Sequence, residues 1–315
     1  MINISIIILT FNSSEHIKSC LDSVFRQSYR NFEAILVDNG SIDDTLSLVK
    51  RDYPKVRLVE NKRNLGACAA RNKAIGLAKG RWILTLDCDV ILKKDFIEKI
   101  VGFIGEAGES IGMFQPKILQ IDRKTIYSCG IYLSNMRRFH DIGRGIPENG
   151  RFDMTKDIFG ACSAAAVYKK QMLEEIKETT GYFDERFFFL VEDVDLAWRA
   201  QRKGWGAKFY SEAVCYHYGN SSGSDKKLRQ FLSFRNRYYT IIKNEGLRKY
   251  IKKFFPLLCY DFPRLVYLFF TNKYILRTVK DKVSISLKGE FLHVAITLLL
   301  THRLLDRLLY VWENY

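Results

Sequence analysis

The sequence has no apolar run of the length that a membrane-spanning helix needs. Crossing a bilayer takes roughly 18 to 20 apolar residues, and the longest candidate, FLHVAITLLLTH (291–302), is shorter and contains two histidines. The apolar start, INISIIIL, has no basic residues before it and stops at Thr10. That pattern predicts a strand and not a signal peptide, so we expect a cytoplasmic protein.

The cysteine pattern excludes two classes of small, cross-linked protein. The seven cysteines are scattered along the chain, odd in number and never spaced as CxxC. A disulfide framework would use paired cysteines, and a structural zinc site would use closely spaced ones. The pattern therefore favours a reducing compartment.

The charge is distributed unevenly along the chain. The net charge is +15, yet residues 1–225 have 32 Lys and Arg against 29 Asp and Glu, whereas residues 226–315 have 18 against 6. A nucleic-acid-binding domain predicts basic residues mixed through the folded part, and here that part is nearly neutral. We expect no nucleic-acid partner, and we expect the basic C-terminal region to meet some other anionic surface.

The first hundred residues alternate between strand-like and helix-like patterns. Short apolar runs such as ISIIIL (4–9), FEAILV (32–37) and RWILTL (81–86) alternate with segments of helical periodicity, among them 14–27 and 43–53. Strand–helix alternation at this spacing predicts βαβ units, hence an α/β fold with a mostly parallel, Rossmann-like sheet and flanking helices. Ligands of such sheets bind beyond the carboxyl ends of the strands.

A composition change near residues 217–227 predicts two regions. We expect one folded domain over 1–222, with a first half of about 1–110 and a more mixed second half of about 111–222. Within it, 134–153 is predicted to be a loop from its Gly, Pro and Asn content. The remainder, 223–315, is predicted to be a basic, amphipathic helical appendage.

Several predicted strands stop on polar or acidic residues. Thr10 ends the first strand, Asp38 the second, and Asp87 and Asp89 follow LTL. Asp is common in turns, which is the simple interpretation of DNGS and of DCD. The functional interpretation is that Asp87 and Asp89, as hard oxygen ligands, bind Mg²⁺ or Mn²⁺ on a diphosphate.

Taken together, three segments resemble a known family. ILTFNSSEHIKSCLDSVFRQSYRNFEAILVDNGSIDDT, NLGACAARNKAI and GRWILTLDCDV are similar to the nucleotide-sugar-dependent glycosyltransferases of family 2, which have the GT-A fold. The resemblance runs over roughly residues 3–220. It implies that 1–222 is a catalytic domain, with a nucleotide-binding half of about 1–110 and an acceptor half of about 111–222. The nearby RQFLSFRNRYY replaces the QxxRW motif of processive relatives, so the chain looks like the non-processive, rhamnosyltransferase-like branch.

The resemblance implies a set of nucleotide and metal contacts. Asp89 would bind the cation, Asp87 would lie near the ribose or the cation, and His217 would complete the cation site. For His217 the alternative is a structural histidine. The implied nucleotide-pocket residues are Thr10, Asn12, Glu15, Asp38, Asn64, Gly66, Arg71 and Asp87.

The stretch FFFLVEDVDLAW (187–198) puts three acids after an apolar run. On a helix that begins near Val191, acids in the first turn are favoured by the helix dipole. Asp195 and Arg199 are four residues apart, which predicts a surface ion pair. The resemblance implies more for the other two acids: Asp193 would be the catalytic base and Glu192 would support it.

The implied activity is inverting transfer of one sugar from a UDP- or dTDP-sugar to a glycan or lipid-linked saccharide, assisted by Mn²⁺ or Mg²⁺. A sugar nucleotidyltransferase of similar sheet topology is an alternative. That class needs a Gly-rich basic loop after strand one, whereas LTFNSSEH contains no Gly, Lys or Arg. A basic nucleic-acid-binding protein is the non-enzymatic alternative.

The basic C-terminal region has an amphipathic pattern. On a helix over 226–244, one apolar stripe is separate from the Lys and Arg residues. It consists of Leu228, Phe231, Leu232, Tyr239 and Ile242. We predict peripheral attachment to the inner face of the cell membrane, because each cation near an anionic leaflet adds about 1 kcal/mol. The alternative is an appendage that packs on the catalytic domain or on a second subunit.

Overall fold

A computed structural model describes residues 3–219, 225–245 and 254–275. The chain divides into two compact units, Met1–Gly223 and Ser224–Tyr315, which are described separately below.

The first unit contains twelve strands among its described residues: β1 Ile4–Thr10, β2 Phe32–Asp38, β3 Arg57–Glu60, β4 Trp82–Asp87, β5 Val90–Leu92, β6 Ile111–Gln120, β7 Ile126–Ser128, β8 Ile131–Leu133, β9 Phe139–Asp141, β10 Lys156–Ile158, β11 Ala165–Lys169 and β12 Gly206–His217. Its helices are α1 Ile17–Phe25, α2 Thr45–Asp52, α3 Gly66–Leu77, α4 Phe96–Glu106, α5 Lys170–Ile176 and α6 Glu192–Arg202, with a short 3₁₀ turn at Glu185–Phe187.

The main sheet has the strand order β10-β12-β6-β11-β4-β1-β2-β3. Strands β4, β1, β2 and β3 are paired in parallel, and β11 enters antiparallel between β4 and β6. The predicted α/β fold with a mostly parallel sheet is confirmed. Strand β1 is buried at six of its seven positions, because helices cover both faces of a parallel sheet.

The register of the parallel strands brings polar strand ends to one edge. Thr10 is paired with Asp38, and Leu9 is paired with Asp87. All three strands point the same way, so their carboxyl ends meet at the edge where such sheets bind ligands. This edge is where the candidate site lies.

The segment predicted to be one loop, 134–153, contains a short strand. Strand β9 pairs antiparallel with β8, and the connection is a tight turn in which Arg138 N donates to Ser134 Oγ. The polar turn residues are evident in the sequence. The strands are not, because three-residue strands are too short to show an alternating pattern.

The predicted surface ion pair is present but buried, so its predicted location is wrong. Arg199 Nε donates to Asp195 Oδ2 at 2.9 Å, and the two side chains are 7% and 0% exposed. Arg199 also donates to the carbonyls of Ile176 and Tyr182 at 2.6 and 2.7 Å. The pair lies inside because α5 and the loop after it cover this side of α6 and supply those carbonyls.

The second unit contains two long helices among its described residues, α7 Lys226–Glu245 and α8 Phe254–Thr271. Of the predicted apolar stripe on α7, Leu232 and Tyr239 are buried, but so is Arg237. That buried arginine departs from the prediction because Asp261 of α8 forms an ion pair with it. No helix in these described parts is long and apolar enough to cross a membrane. The apolar candidate 291–302 lies outside the described residues.

The buried pair makes a prediction about stability. Replacing Arg199 with Ala leaves the Asp195 carboxylate buried without its cation, so we expect a loss of about 3–5 kcal/mol in the free energy of unfolding, measured by urea denaturation. The control is Lys18→Ala, which removes an exposed i,i+4 pair with Asp22 and is expected to cost at most about 0.5 kcal/mol. Equal losses in the two variants would contradict a buried pair.

Candidate active site

Two carboxylates and an imidazole form one cluster at the carboxyl edge of the sheet. Asp87 ends β4, Asp89 follows two residues later, and His217 ends β12. One ligand atom from each of the three residues lies within 4.8 Å of the others. His217 Nε2 is 3.0 Å from Asp89 Oδ1, and the amide of Gly219 donates to Asp89 Oδ2 at 3.1 Å.

This cluster is suited to a divalent cation. Carboxylate oxygens and a neutral imidazole nitrogen are competent ligands for Mn²⁺, and the carboxylates also for Mg²⁺. Desolvation raises the pKa of Asp87; Arg71 opposes the rise and the Asp89 carboxylate adds to it. Two acids held this close gain from a shared cation, so the donor set fits the predicted metal site.

The predicted base lies at the start of α6. Asp193 Oδ1 accepts a hydrogen bond from the Val194 amide at 2.9 Å, and Oδ2 accepts one from the Ser163 amide at 3.3 Å. Burial raises the pKa of Asp193 to about 7, and the carboxylates of Glu192 and Asp141 contribute to that rise. A carboxylate with this pKa can both hold and release a proton near neutral pH.

A buried arginine joins the cation cluster to the neighbour of the base. Arg71 of α3 donates through Nη1 to Glu192 Oε1 at 2.5 Å and through Nη2 to Asp87 Oδ1 at 3.0 Å. The side chains of Arg71 and Glu192 are 5% and 6% exposed, while that of Asp87 is 34% exposed. The two acidic motifs, far apart in sequence, therefore meet at one guanidinium.

The backbone immediately before the base is strained. Phe188, Leu190 and Val191 all have positive φ, at 66°, 68° and 72°. Side chains larger than glycine rarely adopt this conformation, and each instance costs on the order of 1–3 kcal/mol. Such strained conformations persist only where surrounding contacts hold them, and they cluster at functional sites.

The residues predicted to line a nucleotide pocket cluster around the ends of β1 and β2. Asp38 is fully buried, and its Oδ2 accepts from the amides of Gly40 and Ser41 at 3.0 and 2.9 Å. Thr10 is buried beside it, whereas Asn12 is exposed and bonds the same loop through the Ile42 amide at 2.9 Å. Glu15 is also exposed. Asp38 therefore shapes its turn, as the simple interpretation of DNGS predicted.

Asn64 and Gly66 are held by a residue that sequence reasoning missed. Asn39 donates to Asn64 Oδ1 at 2.9 Å and accepts from the Leu65 amide at 3.1 Å. Gly66 has φ +83°, and a Cβ there would lie 2.7 Å from the carbonyl oxygen of Phe188. The close approach at Gly66 is thus to the strained segment before the base. No local signal distinguishes Asn39 from an ordinary turn asparagine.

Two further residues of the site were also missed. Asn72 donates through Nδ2 to the Phe183 carbonyl and accepts at Oδ1 from the Phe183 amide, both at 2.8 Å. Ser163 is the amide donor to Asp193. The signals are weak: Asn72 stands out only as part of ARN, and Ser163 lies in a run of small residues that core packing also explains.

The sequence of this chain matches a known enzyme family. The family model "Glycosyl transferase family 2" matches residues 5–177, which is more than half of the chain. The chain therefore belongs to glycosyl transferase family 2, and its first unit is a glycosyltransferase domain. The family assignment favours the first of the three functions considered and decides against a sugar nucleotidyltransferase.

Curated relatives are named for the biosynthesis of amylovoran, PGL/p-HBAD and succinoglycan. The amylovoran biosynthesis glycosyltransferase AmsB of Erwinia amylovora is 28% identical over 72% of this chain and 73% of its own. A PGL/p-HBAD biosynthesis glycosyltransferase of Mycobacterium tuberculosis is 37% identical over 60% and 66%. The succinoglycan biosynthesis protein ExoO of Rhizobium meliloti is 30% identical, but the match spans only 39% of this chain and 36% of that relative.

Solved structures share the GT-A fold. S. aureus TarS 1-349 in complex with UDP has a TM-score of 0.53 at 19% identity, covering 77% of this chain and 66% of that one. GalNAc-T7 with UDP, GalNAc and Mn²⁺ has a TM-score of 0.58 at 15% identity, covering 76% and 48%. At these identities the likeness establishes the fold alone.

The cluster makes a prediction about cation binding. Asp89→Ala removes a carboxylate from a three-ligand set, so we expect the affinity for Mn²⁺ to fall at least about tenfold, measured by electron paramagnetic resonance of unbound Mn²⁺. Asp95→Ala is the control, because Asp95 is an acid outside the cluster that pairs with Lys99. Unchanged affinity in Asp89→Ala would rule the cluster out as the cation site.

Proposed function

We propose that this protein transfers a single sugar from a nucleoside-diphosphate sugar to a hydroxyl of a glycan or lipid-linked saccharide, with inversion at the anomeric carbon. The observation that supports this most is the guanidinium of Arg71, shared by Asp87 of the cation cluster and Glu192 beside Asp193. A departing diphosphate needs a bound cation and an incoming hydroxyl needs a base, so the carboxylates that would supply the two must lie around one space.

Asp193 is the general base of the proposed reaction. The acceptor oxygen forms a bond to the anomeric carbon as the bond from that carbon to the diphosphate oxygen breaks. The acceptor's proton passes to the Asp193 carboxylate, and the bonding electrons leave with the nucleoside diphosphate. Attack opposite the leaving group inverts the configuration. Glu192 supports the base through its bond to Arg71.

Asp87, Asp89 and His217 would hold Mn²⁺ or Mg²⁺. When bound there, a divalent cation stabilises the negative charge that develops on a departing diphosphate. The GalNAc-T7 structure contains Mn²⁺ together with UDP, which supports a cation of this kind. The residues themselves contribute a pre-formed set of oxygen and nitrogen donors, so little rearrangement is needed on binding.

The nucleotide is proposed to bind at the ends of β1 and β2, near Thr10, Asn12, Glu15, Asp38, Asn64 and Gly66. Asp38 accepts three hydrogen bonds from its own loop and is fully buried, so its proposed role is to shape the loop that the nucleotide contacts. UDP in the TarS structure supports a UDP- or dTDP-sugar as the donor.

The acceptor is proposed to be a growing glycan, free or lipid-linked. The names of AmsB and ExoO refer to amylovoran and succinoglycan biosynthesis. The net charge of the C-terminal 90 residues and the exposed Phe262, Tyr267 and Phe270 of α8 support attachment to an anionic membrane surface. The inner face of the cell membrane is where such an acceptor would be reached.

Substitution of the base tests the proposed reaction. In a screen of UDP- and dTDP-sugars with Mn²⁺ or Mg²⁺, we expect Asp193→Asn to abolish transfer while nucleotide affinity stays within about threefold, because the amide cannot accept the proton. Full turnover by Asp193→Asn would show that another group is the base.

The pKa of Asp193 gives this test a pH dependence. A carboxylate accepts a proton only when ionised, so kcat/KM for the acceptor should be constant above the raised pKa of Asp193, about 7, and should fall tenfold per pH unit below it. A limb near pH 4, the range of an ordinary aspartate, would contradict the raised value.

The basic region predicts binding to anionic lipid. We expect the full chain to sediment with phosphatidylglycerol vesicles but not with phosphatidylcholine vesicles, and we expect high salt to release it, because the attraction is electrostatic. A chain ending at residue 225 is expected to stay in the supernatant. Equal sedimentation of the two chains would exclude the C-terminal region as the membrane contact.

A further inference from the structure

Helix α3 holds the segment that leads into the base. The Cys68 amide donates to the Phe188 carbonyl at 3.2 Å, and the absent side chain of Gly66 leaves room for Phe188. Asn72 bonds the amide and the carbonyl of Phe183. With Arg71 bound to Glu192, α3 contacts the chain from Phe183 to Glu192 at three positions.

The side chain of Arg71 is almost completely covered, which leaves little of it for contact with a nucleotide. Its Nη1 and Nη2 groups each donate to a carboxylate, and its Cζ lies 5.4 Å from the centre of the Phe183 ring. With 5% of the side chain exposed, a nucleotide could reach the guanidinium only if one of these contacts broke. The nucleotide contact implied for Arg71 by family resemblance therefore lacks support in this geometry.

We propose that Arg71 is a positioning residue: it contacts no substrate, and by bridging Asp87 and Glu192 it fixes the start of α6, and with it Asp193, relative to the cation cluster. This inference rests on the proposed function, because it assumes that Asp193 is the base.

The chemistry of the bridge requires an arginine. The planar guanidinium presents two N–H groups in a fixed fork, which can span two carboxylates that approach from different strands and helices. A lysine ammonium is a single compact charge on a flexible stem, so it can neutralise one carboxylate but cannot hold both at fixed positions. Without the guanidinium, Asp87 and Glu192 would be two acids repelling each other across the site.

The test separates positioning from nucleotide binding. Arg71→Lys and Arg71→Gln are compared with wild type in two measurements: the Kd of UDP and of dTDP with saturating Mn²⁺, by calorimetry, and kcat for transfer. We expect nucleotide Kd within about threefold of wild type and kcat lower by about 100-fold, the effect of misplacing a reacting group by about 1 Å. A Kd at least tenfold weaker with kcat unchanged would overturn the inference in favour of direct nucleotide contact.

The pH dependence of kcat/KM gives a second readout. A residue with a merely structural role would not shift its acid limb. Burial is the largest cause of the raised pKa of Asp193, followed by the carboxylates of Glu192 and Asp141; the Ser163 amide and then Arg71 lower that pKa. The acid limb of kcat/KM should therefore move to higher pH in Arg71→Gln and to lower pH in Glu192→Gln. The Glu192→Gln amide oxygen can still accept from Arg71, so this variant keeps the hydrogen bond if Arg71→Gln fails to fold. An acid limb of kcat/KM that stays at the wild-type pH in both variants would overturn the inference.

Arg199→Lys is the matched control. Arg199 is also a buried arginine that binds a carboxylate and two carbonyls, but its carboxylate is Asp195, on the same helix. We expect it to lower the Tm while leaving the acid limb and the kcat of the folded fraction unchanged. If Arg199→Lys shifted the limb as much as Arg71→Gln, general loosening of α6 would explain the result and the inference would fail. Retained turnover in Asp193→Asn would instead show that another group is the base, which would remove the assumption on which this inference rests.

Discussion

The candidate site depends on one buried arginine side chain between two carboxylates. Arg71 binds Asp87, at the end of a central strand, and Glu192, at the start of a helix from the other half of the domain. Acids brought together in a water-poor edge repel each other, and the repulsion would otherwise push the strand end and the helix apart or leave one acid protonated. A guanidinium that satisfies both is therefore a structural condition for placing Asp193 and the cluster of Asp87, Asp89 and His217 at the same edge of the sheet.

The sheet supplies the rest of the arrangement through strand direction. Parallel β1, β2 and β4 deliver Thr10, Asp38 and Asp87 to one edge, as their register requires. The antiparallel β11 starts at that edge, so the residues just before it, including Ser163, can donate to Asp193. Strand β12 ends there as well and delivers His217. A mostly parallel sheet in which β11 runs opposite to its neighbours thus brings these groups to one edge.

The cost of this arrangement lies in the backbone before the base. Positive φ at Phe188, Leu190 and Val191 is unfavourable in any chain that could relax, so the surrounding contacts must hold it. They do so through α3, where Gly66 makes room and the Cys68 amide binds the Phe188 carbonyl. The run of aromatic residues ahead of the acids thus packs in the interior and also holds the Asp193 carboxylate in position.

The sequence by itself determined the alternation of strands and helices over the first hundred residues, the acids at the strand ends and the acids at the start of α6, because each leaves a local signal: an apolar run, a turn or a helical period. Family resemblance added the roles of Asp89, His217 and Asp193, and their placement is consistent with those roles. Only the tertiary structure decided which groups meet. Arg71 and Glu192 are 121 residues apart, and Asn72 and Phe183 are 111 apart. The local sequence ARN does not indicate either partner. The same holds for Asp195 and Arg199, whose spacing predicted the pair but whose burial was decided by α5 and the following loop. Long-range pairs are set by packing, and packing is a property of the folded chain.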